Sequence, residues 1–169
     1  LWTDGSAKPT NPGPAAAACL LTCSKNEDHI LFGVSEFFET PRTNNEAEYG
    51  AIIMGLTYLI ALGVRNVTIR TDSQLVVKQV DGTYKCRKDT LKPLLERVHT
   101  LKRDYERSYG PLTLVHTRAH SGTFGNEHAD QFANDAVDGM CSLYRVGEDI
   151  SEWLHSGHEY RRPKRRRHD

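Results

Sequence analysis

The sequence predicts an α/β fold: a five-stranded mixed sheet, three antiparallel strands and then parallel ones, flanked by helices on both faces. Three observations predict it. Residues 1–42 hold three β-rich stretches separated by polar breaks, the pattern of a hairpin unit. Residues 49–62 carry no charge and read as a buried helix. Beyond them, β-branched and amphipathic segments follow in the order strand, helix, helix, strand, helix. A strand–helix–strand connection within one sheet is a right-handed parallel crossover.

Taken in order, Leu1-Trp2-Thr3 ends a first strand, and three prolines with Gly13 make residues 8–14 a loop. Residues 15–22 and 30–38 are the next two strands, with the polar residues 24–29 as their turn. Tyr49, Ile52, Ile53, Leu56, Leu59 and Ile60 form one stripe of the central helix, while Ala47, Ala51, Met54, Tyr58 and Leu62 cover much of the rest. Asn44 or Asn45 is expected to cap it and Gly63 to close it. Residues 64–71 form a strand ending at Asp72. Ser73 caps a short helix running to about Val80, and Asp81-Gly82 breaks it. Asp89 or Thr90 opens a longer helix with Leu91, Leu94, Leu95, Val98 and Leu101 at helical spacing. Residues 112–116 are the fifth strand, and residues 126–137 the last helix, with Ala129, Phe132, Ala133, Ala136 and Val137 inward.

Composition describes an ordinary globular chain of 169 residues, 38% hydrophobic and 26% charged, with no run long enough to span a membrane. Formal net charge is zero, but residues 161–169 hold six of the 22 basic residues and one of the 22 acids. The remainder therefore has five more acids than bases. Such a body argues against a broad nucleic-acid surface and leaves room for a local basic stripe. Cys19, Cys23, Cys86 and Cys141 lack metal-ligand spacing and read as free thiols of a reducing, intracellular compartment; nucleus, mitochondrion and cytoplasm are not resolved. The chain opens at Leu1, inside a strand, so a segment upstream is expected and targeting is not readable.

Three acids fall where α/β sheets place their chemistry. Asp4 and Asp72 end strands, and Glu48 sits at the edge of the apolar helix, where burying a carboxylate is costly unless something pairs with it. If the two strands are parallel neighbours, both aspartates emerge at one sheet edge, and Asp130 in the first turn of the last helix is a fourth candidate. Clustered carboxylates repel unless a cation sits among them, and an oxygen-only set favours magnesium or manganese. Caps and turns are the alternative, although Ser73, Asn44 and Asn45 already offer caps.

Four motifs carry a resemblance. Asp4-Gly5-Ser6 with Asn11-Pro12-Gly13-Pro14, Thr43-Asn44-Asn45-Glu46-Ala47-Glu48, Thr71-Asp72-Ser73, and His120-Ser121-Gly122 leading into Gly125-Asn126-Glu127-His128-Ala129-Asp130 stand in the order of a type 1 ribonuclease H. The direct connection from Val80 to Lys88 resembles the version without a basic handle, though Lys85, Arg87 and Lys88 remain to meet phosphate. The resemblance implies a ribonuclease H-like fold and endonucleolytic hydrolysis of the RNA strand of RNA–DNA hybrids. The reaction would use two divalent ions, Mg²⁺ with Mn²⁺ as the alternative, and give 5′-phosphate and 3′-hydroxyl ends. Asp4, Glu48, Asp72 and Asp130 match the metal-binding acids and His120 the mobile-loop histidine, five catalytic residues in all. The substrate-binding residues implied are Gly5, Ser6, Arg42, Thr43, Asn44 and Asn45: the asparagines in the groove, Gly5 and Ser6 on RNA, Arg42 and Thr43 on a DNA phosphate. Glu127 is a cap-region acid or a modulator of the water-side metal, and His116 reads as structural.

The expected organisation is a catalytic domain over residues 1–139, an extension over 140–160 and a disordered basic tail over 161–169. The chain is expected to be monomeric and to bind RNA–DNA hybrid without a membrane, with a ribonucleoprotein or an upstream domain as further partners. Two other functions compete: a non-catalytic component of a ribonucleoprotein particle, and the nuclease domain of a reverse transcriptase-like fusion.

Overall fold

A computed structural model describes residues 1–23, 25–118 and 123–146. Their elements run β1 (Trp2–Ala7), β2 (Gly13–Cys23), β3 (Asn26–Arg42), α1 (Asn44–Leu62), β4 (Thr68–Thr71), α2 (Gln74–Val80), α3 (Lys92–Tyr109), β5 (Thr113–His116), α4 (Phe124–Gly139) and β6 (Leu143–Val146). The sheet order is β5-β4-β1-β2-β3-β6. β1, β2, β3 and β6 pair antiparallel in succession, whereas β4 pairs parallel with both β1 and β5. The five expected strands are all present in the expected sense. The sixth comes from the weakly patterned stretch after Gly139, where four residues pair with Phe32–Ser35 of β3.

Strand alternation sorts the core into two layers. Leu1, Ala17, Cys19, Leu21 and Val34 pack with Tyr49, Ile52, Leu56 and Leu59 of α1, and α3 adds Val98, Leu101 and Tyr105 to the same cluster. Trp2, Leu20 and Ile30 meet Ala129 of α4 on the opposite face, and Ala16 meets Ala136 and Val137. The small residues Ala15 to Ala18 let both helices lie close to β2.

α1 is buried as its apolar run predicts, but Thr43 is its cap. The Thr43 hydroxyl accepts from the Glu46 N–H at 3.1 Å, and the Glu46 carboxylate accepts from the Thr43 N–H at 2.7 Å, a reciprocal capping box. Asn44 is held elsewhere, because its side-chain oxygen accepts from the Ala7 N–H and its backbone N–H donates to Asn11. At the other end Gly63 takes a left-handed conformation (φ 65°). No basic side chain sits in the last turn. Instead the hydroxyls of Tyr105 and Tyr109 on α3 donate to the carbonyls of Val64 and Ile60. Thr43→Ala is expected to cost about 1 kcal/mol, seen as a fall in Tm of about 2–4 °C for a chain of this size.

Other boundaries shift with partners. β2 and β3 reach from Gly13 to Cys23 and from Asn26 to Arg42, so the turn is far tighter than residues 24–29 suggest. β4 begins only at Thr68, where its pairing with Thr113 of β5 begins. α3 starts at Lys92 after Leu91, with no side-chain cap and Pro93 in its first turn; neither Asp89 nor Thr90 opens it. α4 starts at Phe124, which puts Asp130 in its second turn. Among the described residues no helix is long and apolar enough to cross a membrane, and the four cysteines are free.

Candidate active site

Parallel pairing of β1 with β4 builds the centre of the site. Trp2 lies opposite Arg70 and Thr3 opposite Thr71, so the next residues, Asp4 and Asp72, emerge side by side. β4 stops there. β1 continues to Ala7 on its pairing with β2, so Asp4 lies within the strand rather than at its end, at the point where one neighbour is lost.

Glu48 arrives from above. The first turn of α1 rests on Gly5, whose missing side chain is required: a Cβ there would collide with the backbone of Ala47 and Glu48, and would lie 2.7 Å from the Ala47 carbonyl oxygen. The Gly5 N–H donates to the Glu48 carboxylate, which the Thr71 hydroxyl also approaches at 3.4 Å. Thr71 in turn accepts from the Ser73 N–H at 3.2 Å. Ligand oxygens of Asp4, Glu48 and Asp72 all fall within 4.8 Å of one another. Asp4 is 3% exposed and Glu48 8%. Asp130 enters from the other face of the sheet on α4 and adjoins Asp4. The four acids expected to act together do stand together.

Burial, and then the charge of Asp72, push Asp4 up from 3.8 to about 8. Burial, followed by the charges of Asp4 and Asp72, holds Glu48 well above the ordinary carboxylate value. Between pH 3.8 and about 8 the folded chain keeps a proton on Asp4 that the unfolded chain has released. This group therefore costs stability progressively as the pH rises through that window, and Glu48 acts in the same direction. A divalent cation fits such a set: the donors are all hard oxygens, close together, partly desolvated and mutually repelling. Adding Mg²⁺ is expected to raise Tm, by about 3–6 °C at ten times its dissociation constant. The rise should be larger at pH 8 than at pH 6, because cation and proton compete for the same oxygens. Differential scanning calorimetry at the two pH values checks it, and an equal or reversed dependence would contradict the protonation pattern.

Around the acids, Ser6 donates its hydroxyl to Asn134 on α4 at 2.9 Å, and the Asn134 amide donates to Asp130 at 3.2 Å. Sequence reasoning singled out neither Asn134 nor the Thr71 hydroxyl. The i, i+4 spacing from Asp130 was the available signal for Asn134. Arg42 is exposed, with its guanidinium 5.9 Å from the Phe38 ring centroid. Asn45 is half-buried next to the engaged Asn44. Lys85, Arg87 and Lys88 are exposed on the direct connection between α2 and α3. Glu127 is exposed in the first turn of α4, and His116 is exposed on β5. His120 lies outside the described residues.

Residues 1–138 match the ribonuclease H family model. A ribonuclease HI from Halobacterium salinarum is 34% identical over 137 residues; the match takes in 81% of this chain but only 63% of that protein's length. A ribonuclease H from Pseudomonas fluorescens is 34% identical over 144 residues, covering 82% of this chain and 91% of that one. The solved structure of LC11-RNase H1 in complex with an RNA/DNA hybrid superposes with a TM-score of 0.70 at 31% identity, over 82% of this chain and 96% of that one. Fold, acid cluster and extended sequence similarity agree, and the chain belongs to the ribonuclease H family.

Proposed function

We propose that the protein is an endoribonuclease that hydrolyses the RNA strand of RNA–DNA hybrids and leaves 5′-phosphate and 3′-hydroxyl ends. The observation that carries the proposal is the complete set of four carboxylates, Asp4, Glu48, Asp72 and Asp130, gathered at one sheet edge in a chain of this family. Asp4, Glu48, Asp72 and Asp130 would hold two divalent ions, Mg²⁺ with Mn²⁺ as the alternative. When bound, such ions neutralise charge on the scissile phosphate and lower the pKa of an attacking water.

The chain's own residues do the rest. Asp4 and Glu48 must release their protons to take a cation, so at limiting metal the activity is expected to rise with pH. Gly5 and Thr71 hold the Glu48 carboxylate in place. The Asn45 side chain makes no hydrogen bond to the described residues and is the groove reader of choice. Asn44 keeps its amide hydrogens for the same task while its oxygen braces Ala7. Arg42 and the N-terminus of α1 supply positive charge for a DNA phosphate. The Gly5 N–H is occupied by Glu48, so the RNA contact of that segment falls to Ser6. His120 would shuttle a proton or speed product departure, since imidazole titrates near neutrality.

The domain limits at residues 139 and 160, a monomeric state, an intracellular site and a partner upstream or in a ribonucleoprotein belong to the same proposal. A purely structural role in a particle is disfavoured by the retention of every acid. The decisive assay offers the purified chain a labelled RNA–DNA hybrid, single-stranded RNA and duplex DNA, with and without Mg²⁺. Only the RNA of the hybrid should be cut, and only with metal. No cleavage at any concentration of Mg²⁺ or Mn²⁺ would reject the proposal.

A further inference from the structure

We propose that Asn134 is a positioning residue that holds the Asp130 carboxylate for metal binding and couples it to Ser6 on β1. The proposal deepens the hybrid-nuclease function and rests on it for the reaction served. Asp130 and Asn134 are four residues apart on α4, so they share one helix face. The Asn134 Nδ2 donates to Asp130 Oδ1 at 3.2 Å, and Ser6 Oγ donates to Asn134 Oδ1 at 2.9 Å. A primary amide has one accepting end and one donating end. With the Ser6 proton on the oxygen, only the NH₂ is left to face Asp130.

This matters at Asp130 because Asp4 is packed beside it, and the two carboxyl groups must present oxygens to one site. A helix-borne carboxylate without a second partner is free to turn to another rotamer. A neutral donor holds it in place without cancelling the charge a cation needs. The Ser6–Asn134 bond also joins the first strand to the last helix across 128 residues of sequence, so it sets α4 against β1 at the site itself. Ser6 spends its hydroxyl proton on Asn134 and keeps its lone pairs, which can accept from a ribose 2′-hydroxyl. One hydroxyl thus serves both the RNA contact and the metal-binding carboxylate.

The test titrates Mn²⁺ calorimetrically into hybrid-free protein and measures hybrid cleavage against Mg²⁺ concentration. Wild type is compared with Asn134→Ala, Asn134→Asp, Ser6→Ala and the Ser6→Ala/Asn134→Ala double variant. Asn134→Ala should weaken Mn²⁺ binding and lower kcat at limiting metal by about 10–100-fold, the usual cost of losing an outer partner of a ligand. The KM for hybrid should stay within about twofold, as expected for an interaction that does not bind the substrate. Asn134→Asp keeps the acceptor for Ser6 but removes the donor, and should be no better than alanine. In Mn²⁺ affinity the double variant should be no worse than Asn134→Ala, because Ser6 reaches Asp130 only through the amide, while loss of its RNA contact shows separately in the KM for hybrid. Wild-type metal affinity and turnover in both Asn134 variants would overturn the proposal, as would losses of Mn²⁺ affinity at Ser6 and Asn134 that simply multiply. So would a loss confined to the unfolded fraction, with the folded fraction binding Mn²⁺ normally. Should wild type cut no hybrid, the functional proposal falls while the Mn²⁺ titration still decides the role of Asn134.

Discussion

Asp4→Asn is expected to lower kcat on an RNA–DNA hybrid by more than about a hundredfold, beyond the 10–100-fold typical of outer partners of a metal ligand. Asp4 is the acid that adjoins the other three: Asp72 acts on it by charge, Glu48 and Asp130 by charge or side-chain hydrogen bonding. Asparagine keeps the shape and removes the charge. The same substitution has an opposite effect on stability. Burial and neighbouring carboxylates raise Asp4 to about 8, so at pH 8 the wild-type fold carries a partly charged group it holds at a cost. The metal-free variant should therefore melt at or above the wild-type temperature at pH 8, and should lose most of the Mg²⁺-induced rise. Asp72→Asn should abolish turnover in the same way. Calorimetry and single-turnover kinetics on the same samples check both halves; a variant that cuts normally with an unchanged metal response would remove Asp4 from the site.

Gly5→Ala is expected to be as damaging as a ligand loss, by a different route. The added methyl meets the backbone of Ala47 and Glu48 rather than the end of a flexible side chain. Those backbone atoms belong to a helix tied down by the Thr43–Glu46 box and a fully buried core face. Something must shift by about 1 Å, and overpacking of this kind costs about 1–3 kcal/mol or more. Tm should fall by roughly 2–4 °C for each kcal/mol. The displacement also carries Glu48 away from Asp4 and weakens its bond from the Gly5 N–H. A misplacement of about 1 Å can cost about a hundredfold in rate. Activity measured well below the new Tm separates the two effects: the rate should stay low although the chain is folded. Wild-type stability and rate together would show that α1 does not rest on β1 at this point.

The parts legible in the sequence are those set by local chemistry. A helix without charge from Tyr49 to Leu62 had to be central, and a glycine after it had to end it. Strand-rich and helical stretches in that order permitted little except a mixed sheet. Asp4 and Asp72 stood out at strand ends and Glu48 at the edge of an apolar helix, the last two beside residues that already offered caps; Asp130 was a fourth candidate on the last helix, and the four motifs carried the family resemblance. Less legible were choices among equivalent neighbours. Three good caps stand in a row at Thr43, Asn44 and Asn45, and Asn44 was removed from the contest by Ala7 and Asn11, residues more than thirty positions away. The sixth strand was hidden because four residues form a strand only when β3 offers an edge. The limits of β3 and β4 were blurred because pairing partners, not intrinsic preference, end a strand.

Residue types along the chain set which side chains could do chemistry and what class of fold would carry them. Their meeting depends on contacts made across the folded chain. Parallel pairing of Thr3 with Thr71 brings Asp4 and Asp72 side by side. The bare Cα of Gly5 lets α1 lower Glu48 onto them. Asn134, unmarked by any motif, spans from Ser6 to Asp130. Residue types follow from local preference and can be read along the chain. Distances between carboxylates arise from strand register and helix seating, which depend on contacts far apart in sequence.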